Sequence, residues 1–320
     1  MKMIVVPDDE PPVLAGTIEE ERIKQLGEVR VYNSRAFGDE ELIARVVDSD
    51  TVLNIRATSV FSRNVMRNCP RLKLISIYGV GYDNIDMQAA SELGITITNT
   101  PGYSAVAVSE MALSLMLAVA RRIVLNDRTI RAGGWARGYS SQLYGKTLGV
   151  IGTGSVGQRM VELGKSIGMK VIAWTFKPTP ERANQYGVEF VTLDELMRKS
   201  DVVSIHVLGL PQTNNLIGKR ELMLMKPTAI LINTARGSIV NEQALIEALR
   251  NGVIAGAGLD VFADEPLPTD HPLRSIENVI LSPHTASMVP EATLAGLAMA
   301  IDNIASFLHG HITNVVKART

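Results

Sequence analysis

The sequence predicts an α/β protein with two doubly wound domains, each a parallel β-sheet covered by helices on both faces. Short β-branched runs alternate with helix-length amphipathic segments over nearly the whole chain, which is typical of parallel strands joined by crossover helices. At 320 residues the chain is also too long to fold around a single ordinary hydrophobic core. Together these observations predict two domains of the same class.

The first part of the chain predicts five strands with helical segments between them. The strands are expected at residues 3–6, 28–32, 51–54, 74–77 and 96–98. The helices are expected near residues 18–26, 40–46, 62–68 and 85–93. This alternation predicts one complete sheet before residue 100.

After a turn-forming segment, Asn-Thr-Pro-Gly at 99–102, the alternation restarts. A long apolar helix is expected at 105–122, and its apolar residues cover more than one face. Thr192 and Glu195 have the spacing of a capping box that opens a later helix. Six strands are expected in this second part, at 147–151, 170–174, 202–206, 229–233, 256–260 and 279–281. From Pro290 onward, one amphipathic helix and a short tail are expected.

The composition indicates a soluble globular protein and argues against several function classes. Hydrophobic residues make up 46% of the chain, charged residues 20%, and the formal net charge is −1. Because there is no basic stripe, we expect no nucleic-acid partner. The N-terminal apolar run is too short for a signal peptide, and Glu110 interrupts the most apolar segment, so we expect a cytoplasmic protein without a membrane span. With Cys69 as the single cysteine, neither intrachain disulfides nor a cysteine-based metal site is expected.

A glycine-rich turn is the strongest local motif. A predicted strand runs directly into Gly152-x-Gly154-x-x-Gly157, and a helical stretch follows at 158–167. Gly152 permits the tight turn, Gly154 lets the backbone approach a pyrophosphate, and Gly157 lets the helix pack closely on the strand. The helix N-terminus then offers free N–H groups to the pyrophosphate. The motif in this context predicts a Rossmann domain that binds a dinucleotide.

One residue departs from the usual dinucleotide pattern. The strand at 170–174 should be followed by Asp or Glu, which would accept a hydrogen bond from the adenosine ribose, but Thr175 stands there. Lys177 and Arg182 could supply positive charge to a 2′-phosphate. The cofactor is therefore expected to be NAD or NADP, with both accepted and NADP(H) favoured.

Three further residues follow predicted strand ends of the second domain, where open α/β sheets bind ligands: Arg236, Glu265 and His284. A guanidinium can hold the carboxylate and keto oxygen of a 2-keto acid. Histidine is a proton donor near neutral pH, and a carboxylate behind the imidazole orients it and favours its protonated form. This combination predicts hydride transfer to the C2 carbon of a small 2-keto acid.

The chain resembles the D-isomer-specific 2-hydroxyacid dehydrogenases, which include glycerate, hydroxypyruvate, D-lactate and phosphoglycerate dehydrogenases. The resemblance extends over essentially the whole chain in the family's order. It rests on Tyr-Gly-Val-Gly-Tyr-Asp-Asn-Ile-Asp at 78–86, Thr-Asn-Thr-Pro-Gly at 98–102, Ser-Glu at 109–110, the glycine turn, Ser-Ile-His at 204–206, Ile-Asn-Thr-Ala-Arg-Gly at 232–237, Gly-Leu-Asp-Val-Phe at 258–262 and Ser-Pro-His-Thr at 282–285.

The resemblance implies a role for each matching residue. Arg236 would bind the substrate carboxylate and keto oxygen, His284 would be the acid/base and Glu265 its partner. Asp260 would contact the nicotinamide carboxamide. The implied cofactor-binding residues are Gly152, Thr153, Gly154, Ser155, Val156, Gly157, Thr175, Lys177, His206, Thr213, Thr234, Ala235 and Asp260. The implied substrate-binding residues are Arg56, Tyr78, Gly79, Val80 and Gly81, the last three through backbone N–H groups.

For two of these residues, a structural role is as well supported as a role in ligand binding. Arg56, which with Asn54 ends a predicted strand, either contacts substrate or is a solvated arginine. His206 either belongs to the cofactor side or has a structural role at its strand end. The implied architecture is a flavodoxin-like substrate-binding domain at 1–100, the Rossmann domain at 101–289, and a helix at 290–320 that returns to the first domain.

Other functions stay open, both with a different substrate and as a protein that binds NAD(H) without catalysis. Glu265 stands where formate dehydrogenases carry glutamine, which argues against formate as the substrate. Ile77 stands where phosphoglycerate dehydrogenases tend to carry an arginine, yet 3-phosphoglycerate dehydrogenase stays open as an alternative, as does an NAD(H)-sensing corepressor that acts as a binding module. The apolar helix at 105–122 predicts a homodimer. For Trp135 and Tyr144, in the loop before the phosphate-binding strand, the resemblance implies dimer contacts or a place in the pocket lining.

Overall fold

The structure, a computed structural model, describes residues 2–135 and 137–317. The chain divides into two compact units. The first unit comprises the chain as far as Ser104 and the segment from Val289 onward, and the second comprises Ala105–Met288. The second unit is thus inserted between the two segments of the first.

The first unit contains a five-stranded parallel sheet with the strand order 2-1-3-4-5, the flavodoxin-like order. All residues of its third and fourth strands are buried, as expected for central strands that helices cover on both faces. The strands are β1 (Met3–Val6), β2 (Glu28–Val31), β3 (Thr51–Asn54), β4 (Leu74–Ile77) and β5 (Thr96–Thr98). The helices before the insertion are α1 (Ile18–Lys24), α2 (Gly38–Val46), α3 (Arg63–Arg67) and α4 (Met87–Glu92).

The second unit contains a seven-stranded parallel sheet, which continues the Rossmann strand order by one strand. Its strands are β6 (Thr147–Ile151), β7 (Lys170–Trp174), β8 (Glu189–Phe190), β9 (Val202–Ile205), β10 (Ile230–Asn233), β11 (Gly256–Leu259) and β12 (Val279–Leu281), in the order β12-β11-β10-β9-β6-β7-β8. Its α-helices are α5 (Ala105–Ala120), α6 (Ile123–Arg131), α7 (Ser155–Ser166), α8 (Pro180–Tyr186), α9 (Leu193–Lys199), α10 (Lys219–Leu224) and α11 (Glu242–Arg250). Short 3-10 helices lie at Pro211–Thr213, Gly237–Ile239 and Pro272–Ser275.

These sheets confirm the two-domain α/β prediction, with several local differences. Helix α7 begins at Ser155, three residues before the predicted helix. The apolar helix ends at Ala120 rather than Arg122, because Arg122 takes a left-handed conformation with φ 54°. A separate helix, α6, follows where the sequence predicted none. Strand β8 also escaped prediction because two residues are too few to show alternation. The capping box is confirmed: Thr192 Oγ1 accepts from the Glu195 backbone N–H, and Glu195 Oε2 accepts from the Thr192 N–H.

The C-terminal helix α12 (Pro290–Leu308) belongs to the core of the first unit. By length and composition alone it could cross a membrane. Instead, one of its faces packs on the sheet, and Ser76 Oγ of β4 donates a hydrogen bond to the Ala300 carbonyl. The buried apolar side chains that form this contact are Leu297, Ala300, Ile301 and Ile304 of the helix and Ile4, Val6, Leu53 and Leu74 of the sheet.

Candidate active site

The three residues expected to carry the chemistry follow three neighbouring strands of the second unit. Arg236 follows β10, Glu265 follows β11 and His284 follows β12. These strands are adjacent and parallel, so their carboxyl ends lie at one edge of the sheet. Parallel pairing therefore brings together residues that are up to 48 positions apart in the sequence (284 − 236).

His284 and Glu265 form a close hydrogen-bonded pair. His284 Nδ1 lies 2.6 Å from Glu265 Oε2, and the other carboxylate oxygen, Oε1, accepts from the Phe262 N–H at 3.0 Å. The two side chains are 41% and 35% exposed, so they are open to a ligand while bonded to each other. Because Nδ1 is engaged by the carboxylate, Nε2 is the ring atom left to exchange a proton with a ligand.

The surroundings of Glu265 keep it ionised. Burial alone would raise the pKa of this carboxyl, but the hydrogen bond and charge of His284 outweigh it, and the Phe262 N–H and the Arg236 charge add to the effect. The pKa of Glu265 is therefore below its ordinary value. A charged carboxylate therefore holds the imidazole ring through Nδ1.

Asp260 holds the turn that presents His284. His284 adopts φ 55°, a left-handed conformation that is uncommon for a residue with a side chain, and its N–H donates to the Asp260 carbonyl at 2.8 Å. The Asp260 carboxylate accepts from the N–H groups of Thr285 and Ala286 at 3.0 and 2.9 Å, and the residue is fully buried. The structure thus gives Asp260 a positioning role; a contact with the nicotinamide stays a prediction.

Asn233, at the end of β10, braces the loop that carries Arg236. Its amide oxygen accepts from the Ala235 N–H at 3.0 Å, and its amide nitrogen donates to the Arg236 carbonyl at 2.9 Å. The Arg236 guanidinium in turn donates to the Ala235 carbonyl at 2.9 Å. An asparagine that bonds to backbone just beyond itself is typical of a turn, and this signal in the sequence could have identified the brace.

Gly237 joins the arginine loop to the loop of Glu265. A Cβ atom at this position would lie 2.0 Å from the Phe262 carbonyl carbon and oxygen, so only glycine lets the two backbones approach this closely. Gly209 makes room on the other side, since a Cβ there would lie 2.8 Å from Arg236 Cγ. Sequence reasoning had assigned no role to either glycine.

The glycine turn lies where the strand order of the second sheet reverses, between β6 and β9, which is where doubly wound folds bind ligands. Gly152 has φ 95°, and a Cβ there would lie 2.6 Å from the His206 carbonyl oxygen. A Cβ at Gly157 would lie 1.9 Å from the Gly152 oxygen. At Gly154, by contrast, a Cβ would meet nothing within 4 Å. The first and third glycines are needed for packing, and the second leaves open space that suits a pyrophosphate.

The residues beside these glycines, and those that follow β7, were also expected to bind the dinucleotide. Ser155 and Val156 begin α7, so their N–H groups belong to the first turn of the helix and have no partner within it. Thr153 is buried, and its hydroxyl accepts a hydrogen bond from Arg182 Nη2 at 2.8 Å. Thr175 is half-buried, whereas Lys177 is exposed.

His206, Thr213, Thr234 and Ala235 lie in the loops after β9 and β10. Burial lowers the pKa of His206 to about 3, and its Nε2 lies 2.8 Å from Ser204 Oγ, so the ring is neutral and is held by its own strand. The Thr213 hydroxyl bonds to the backbone of Leu210, which leaves its cofactor role without direct support. Thr234 Oγ1 is buried without a partner within the described residues.

In the first unit, the loop after β4 offers fewer N–H groups than expected. The Gly79 N–H donates to Thr100 Oγ1 at 2.9 Å and is therefore engaged. Within the described part of the chain, the N–H groups of Val80 and Gly81 have no hydrogen-bond partner. The three-donor cradle predicted from the sequence is thus reduced to two donors.

The side chains of Tyr78 and Arg56 are already in contact with their own unit. The Tyr78 ring packs against Tyr103 with a centroid distance of 5.3 Å. Arg56 is half-buried and donates to the Pro11 carbonyl, and its Nε is buried without a described partner. Asn54 is 1% exposed, and neither amide atom has a partner among the described residues. Asn54 and Arg56 lie at the carboxyl end of β3, next to the point where the order of the first sheet reverses.

The family model that matches this chain and two of its relatives are dehydrogenases or reductases. Residues 113–286 match the model of the D-isomer specific 2-hydroxyacid dehydrogenase, NAD binding domain. A glyoxylate reductase of Aeropyrum pernix is 41% identical over 295 residues, which cover 88% of either chain. A D-3-phosphoglycerate dehydrogenase of Methanocaldococcus jannaschii is 40% identical over 92% of this chain but only 56% of its own length.

Solved structures agree with these relatives in fold. An acyclic imino acid reductase in complex with NADPH and D-arginine superposes with a TM-score of 0.89 at 32% identity, covering 98% of this chain and 99% of that chain. The similarity therefore includes both units and the parts of the sequence outside the 113–286 match.

Proposed function

This chain belongs to the D-isomer specific 2-hydroxyacid dehydrogenase family, an NAD(P)-dependent group of oxidoreductases, and from that premise we propose that it reduces a small 2-keto acid of the size of glyoxylate or hydroxypyruvate to the D-2-hydroxy acid. The observation that carries the proposal is the 2.6 Å pair of His284 and Glu265 beside Arg236. A proton donor with a charged partner, next to a guanidinium, is the set of groups that keto-acid reduction requires.

Each group in this arrangement has a distinct role. Arg236 binds the substrate carboxylate and keto oxygen, which orients the keto carbon. His284 donates a proton from Nε2 to the keto oxygen, while Glu265 holds the ring and stabilises its charged form. Bound NAD(P)H supplies the hydride. In the first unit, the N–H groups of Val80 and Gly81 are donors of the kind that binds a carboxylate.

The glycine turn and the loops after β9 and β10 hold the dinucleotide. The N–H groups of Ser155 and Val156 bind the pyrophosphate at the start of α7. The unpaired hydroxyl of Thr234 is a hydrogen-bond group available to the nicotinamide half. Neutral His206 packs beside the turn without bringing a charge to it.

A steady-state assay with a panel of 2-keto acids tests this function. The panel contains glyoxylate, hydroxypyruvate, pyruvate, phenylpyruvate and 3-phosphohydroxypyruvate, each with NADPH and with NADH. We expect the highest kcat/KM for glyoxylate or hydroxypyruvate. A clear preference for 3-phosphohydroxypyruvate would identify a phosphoglycerate dehydrogenase instead, and the absence of turnover with every acid would favour the NAD(H)-sensing binding module.

The proposal includes a homodimer in the cytoplasm. The segment from α5 to the loop before β6 exposes large apolar side chains, and a second copy of this surface would cover them. Cys69 is the single cysteine, so the chain can form no intrachain disulfide, which suits the reducing conditions of the cytoplasm. The exposed apolar side chains are Val106, Leu117, Ile123, Ile130, Trp135, Tyr139 and Tyr144.

A further inference from the structure

The N–H groups of Val80 and Gly81 belong to two peptide planes whose carbonyls are held from the opposite side. The Gly79 carbonyl, which shares a plane with the Val80 N–H, accepts from the Thr100 N–H at 3.0 Å. The Val80 carbonyl, which shares a plane with the Gly81 N–H, accepts from Asn99 Nδ2 at 2.8 Å. Because a trans peptide unit is planar, its C=O and N–H point in opposite directions. The segment at 99–100 therefore fixes the direction of both donors.

These bonds also make the two N–H groups stronger donors. A peptide unit whose carbonyl accepts a hydrogen bond is polarised, so its N–H binds an acceptor more tightly. The Thr100 N–H is a backbone group, whereas the donor to the Val80 carbonyl is the side chain of Asn99. A substitution of Asn99 can therefore remove one of the two supports and leave the backbone bonds in place.

Asn99 is itself held by helix α12 and by the C-terminal tail, here defined as residues 313–316. Its N–H donates to the Asn314 carbonyl at 3.2 Å, and its carbonyl accepts from Asn303 Nδ2 of α12 at 2.9 Å. Asn303 is 1% exposed, and its Oδ1 accepts from Thr313 Oγ1 at 3.1 Å and from Asn314 Nδ2 at 2.9 Å. Both polar atoms of this buried amide are thus used to join the tail to Asn99.

The C-terminal tail also pairs with β5, the edge strand of the first sheet. Val315 forms an antiparallel bridge with Thr98, and the Val316 N–H donates to the Ile97 carbonyl at 2.9 Å. The tail therefore lies along the strand that leads directly into Asn99. A displacement of the tail would reach Asn99 through this pairing as well as through the buried amide of α12.

We propose that Asn99 is a positioning residue for substrate binding, and that Asn303 and the C-terminal tail hold it in place. In this arrangement the tail sets the affinity of the Val80 and Gly81 N–H groups for the carboxylate of a 2-keto acid. The inference rests on the proposed function, because it takes that carboxylate as the ligand of the two donors. It does not depend on which 2-keto acid is reduced.

Selective isotope labelling reports on the Gly81 N–H directly. Valine labelled with ¹³C at the carbonyl and glycine labelled with ¹⁵N give a joint NMR signal only for Val-Gly pairs. The chain contains two such pairs, Val80-Gly81 and Val156-Gly157. With NADPH bound, we expect oxamate, an unreactive analogue of a small 2-keto acid, to shift the Gly81 signal. The Gly157 signal should stay in place and serves as the internal control.

Asn99→Ala should raise the Kd of oxamate, read from the Gly81 signal, at least about fivefold. The KM for the keto acid should rise by a similar factor while kcat stays within about twofold, because the contact is the same in the ground state and the transition state. Asn303→Ala should act in the same direction through Asn99. Asn68→Ala is the matched control, because this exposed asparagine of the same unit bonds through its side chain to Asn64 of α3, and it should leave both constants unchanged.

A wild-type Gly81 signal that does not respond to oxamate would overturn the proposal, as would an Asn99→Ala protein with unchanged Kd and KM. So would an equal rise in the Kd of NADPH, which would indicate general loosening of the fold. Should Asn99→Ala fail to fold, Asn99→Asp keeps the shape of the side chain but has no proton for the Val80 carbonyl, and the same weakening is expected. If oxamate binding is weakened as expected but no keto acid is reduced, the proposed function fails and this inference stands.

Discussion

His284 Nδ1 lies 2.6 Å from Glu265 Oε2, while the second oxygen of the same carboxylate accepts the Phe262 N–H. Both oxygens of Glu265 are thus used to fix its position, and the imidazole ring is fixed by it in turn. A ring held through Nδ1 presents Nε2 in one direction, which proton donation to a bound keto oxygen requires.

Removal of the imidazole tests its role as proton donor. We expect His284→Ala to lower kcat for keto-acid reduction at least about 100-fold, because it removes the proposed proton donor to the keto oxygen. The Kd for NADPH, measured by fluorescence titration, should hardly change. His271→Ala is the control, since His271 forms a similar pair with Glu242 at 3.1 Å. Wild-type turnover in a folded His284→Ala protein would show that the proton comes from elsewhere.

Removal of the negative charge of Glu265 should change the pH dependence. The pKa of this carboxyl is below its ordinary value, so the carboxylate is charged throughout the neutral range. In the proposed mechanism this charge supports a proton donor at the keto oxygen, so its removal should make reduction fail at lower pH. In Glu265→Gln, we therefore expect the alkaline limb of the kcat/KM profile to move to lower pH. An unchanged limb would mean that the pair does not control the proton donor.

Two glycines of the turn should respond differently to the same added methyl group. In Gly157→Ala the Cβ would lie 1.9 Å from the Gly152 oxygen, so we expect a marked loss of thermal stability. In Gly154→Ala the Cβ meets no protein atom within 4 Å, so Tm should stay near the wild-type value while the Kd for NADPH rises. Differential scanning fluorimetry and fluorescence titration measure the two effects. A stable Gly157→Ala protein, or an unimpaired Kd in Gly154→Ala, would contradict these assignments.

The exposed apolar surface around α5 and α6 should be buried in a dimer. Light scattering at micromolar concentration should give about twice the 34.7 kDa of one chain. Ile130→Asp places a charge on this surface and should shift the mass toward the monomer. Ile18→Asp is the control, because Ile18 is 72% exposed on α1 in the other unit, compared with 51% for Ile130. A wild-type mass near that of one chain would rule out the dimer.

Much of the fold could be predicted because its signals are local. The predicted strands agree with the structure to within about one residue at their ends, and the capping box at Thr192 was visible as a spacing. The predictions failed where the local signal was short or depended on one backbone angle. Strand β8 has two residues, and only the left-handed conformation of Arg122 separates α5 from α6.

The sequence by itself predicted the two parallel sheets and the glycine turn, because alternation and glycine spacing are local signals. It also singled out Arg236, Glu265 and His284 as candidate catalytic residues, because each follows a predicted strand end. Only the tertiary structure decided which polar groups are already engaged. It assigns the Gly79 N–H to Thr100 and the Asp260 carboxylate to the turn of His284. It also places Arg182 on Thr153, 29 residues away. These contacts join segments whose spacing in the sequence carries no signal, since their approach depends on how the strands pair and the loops pack.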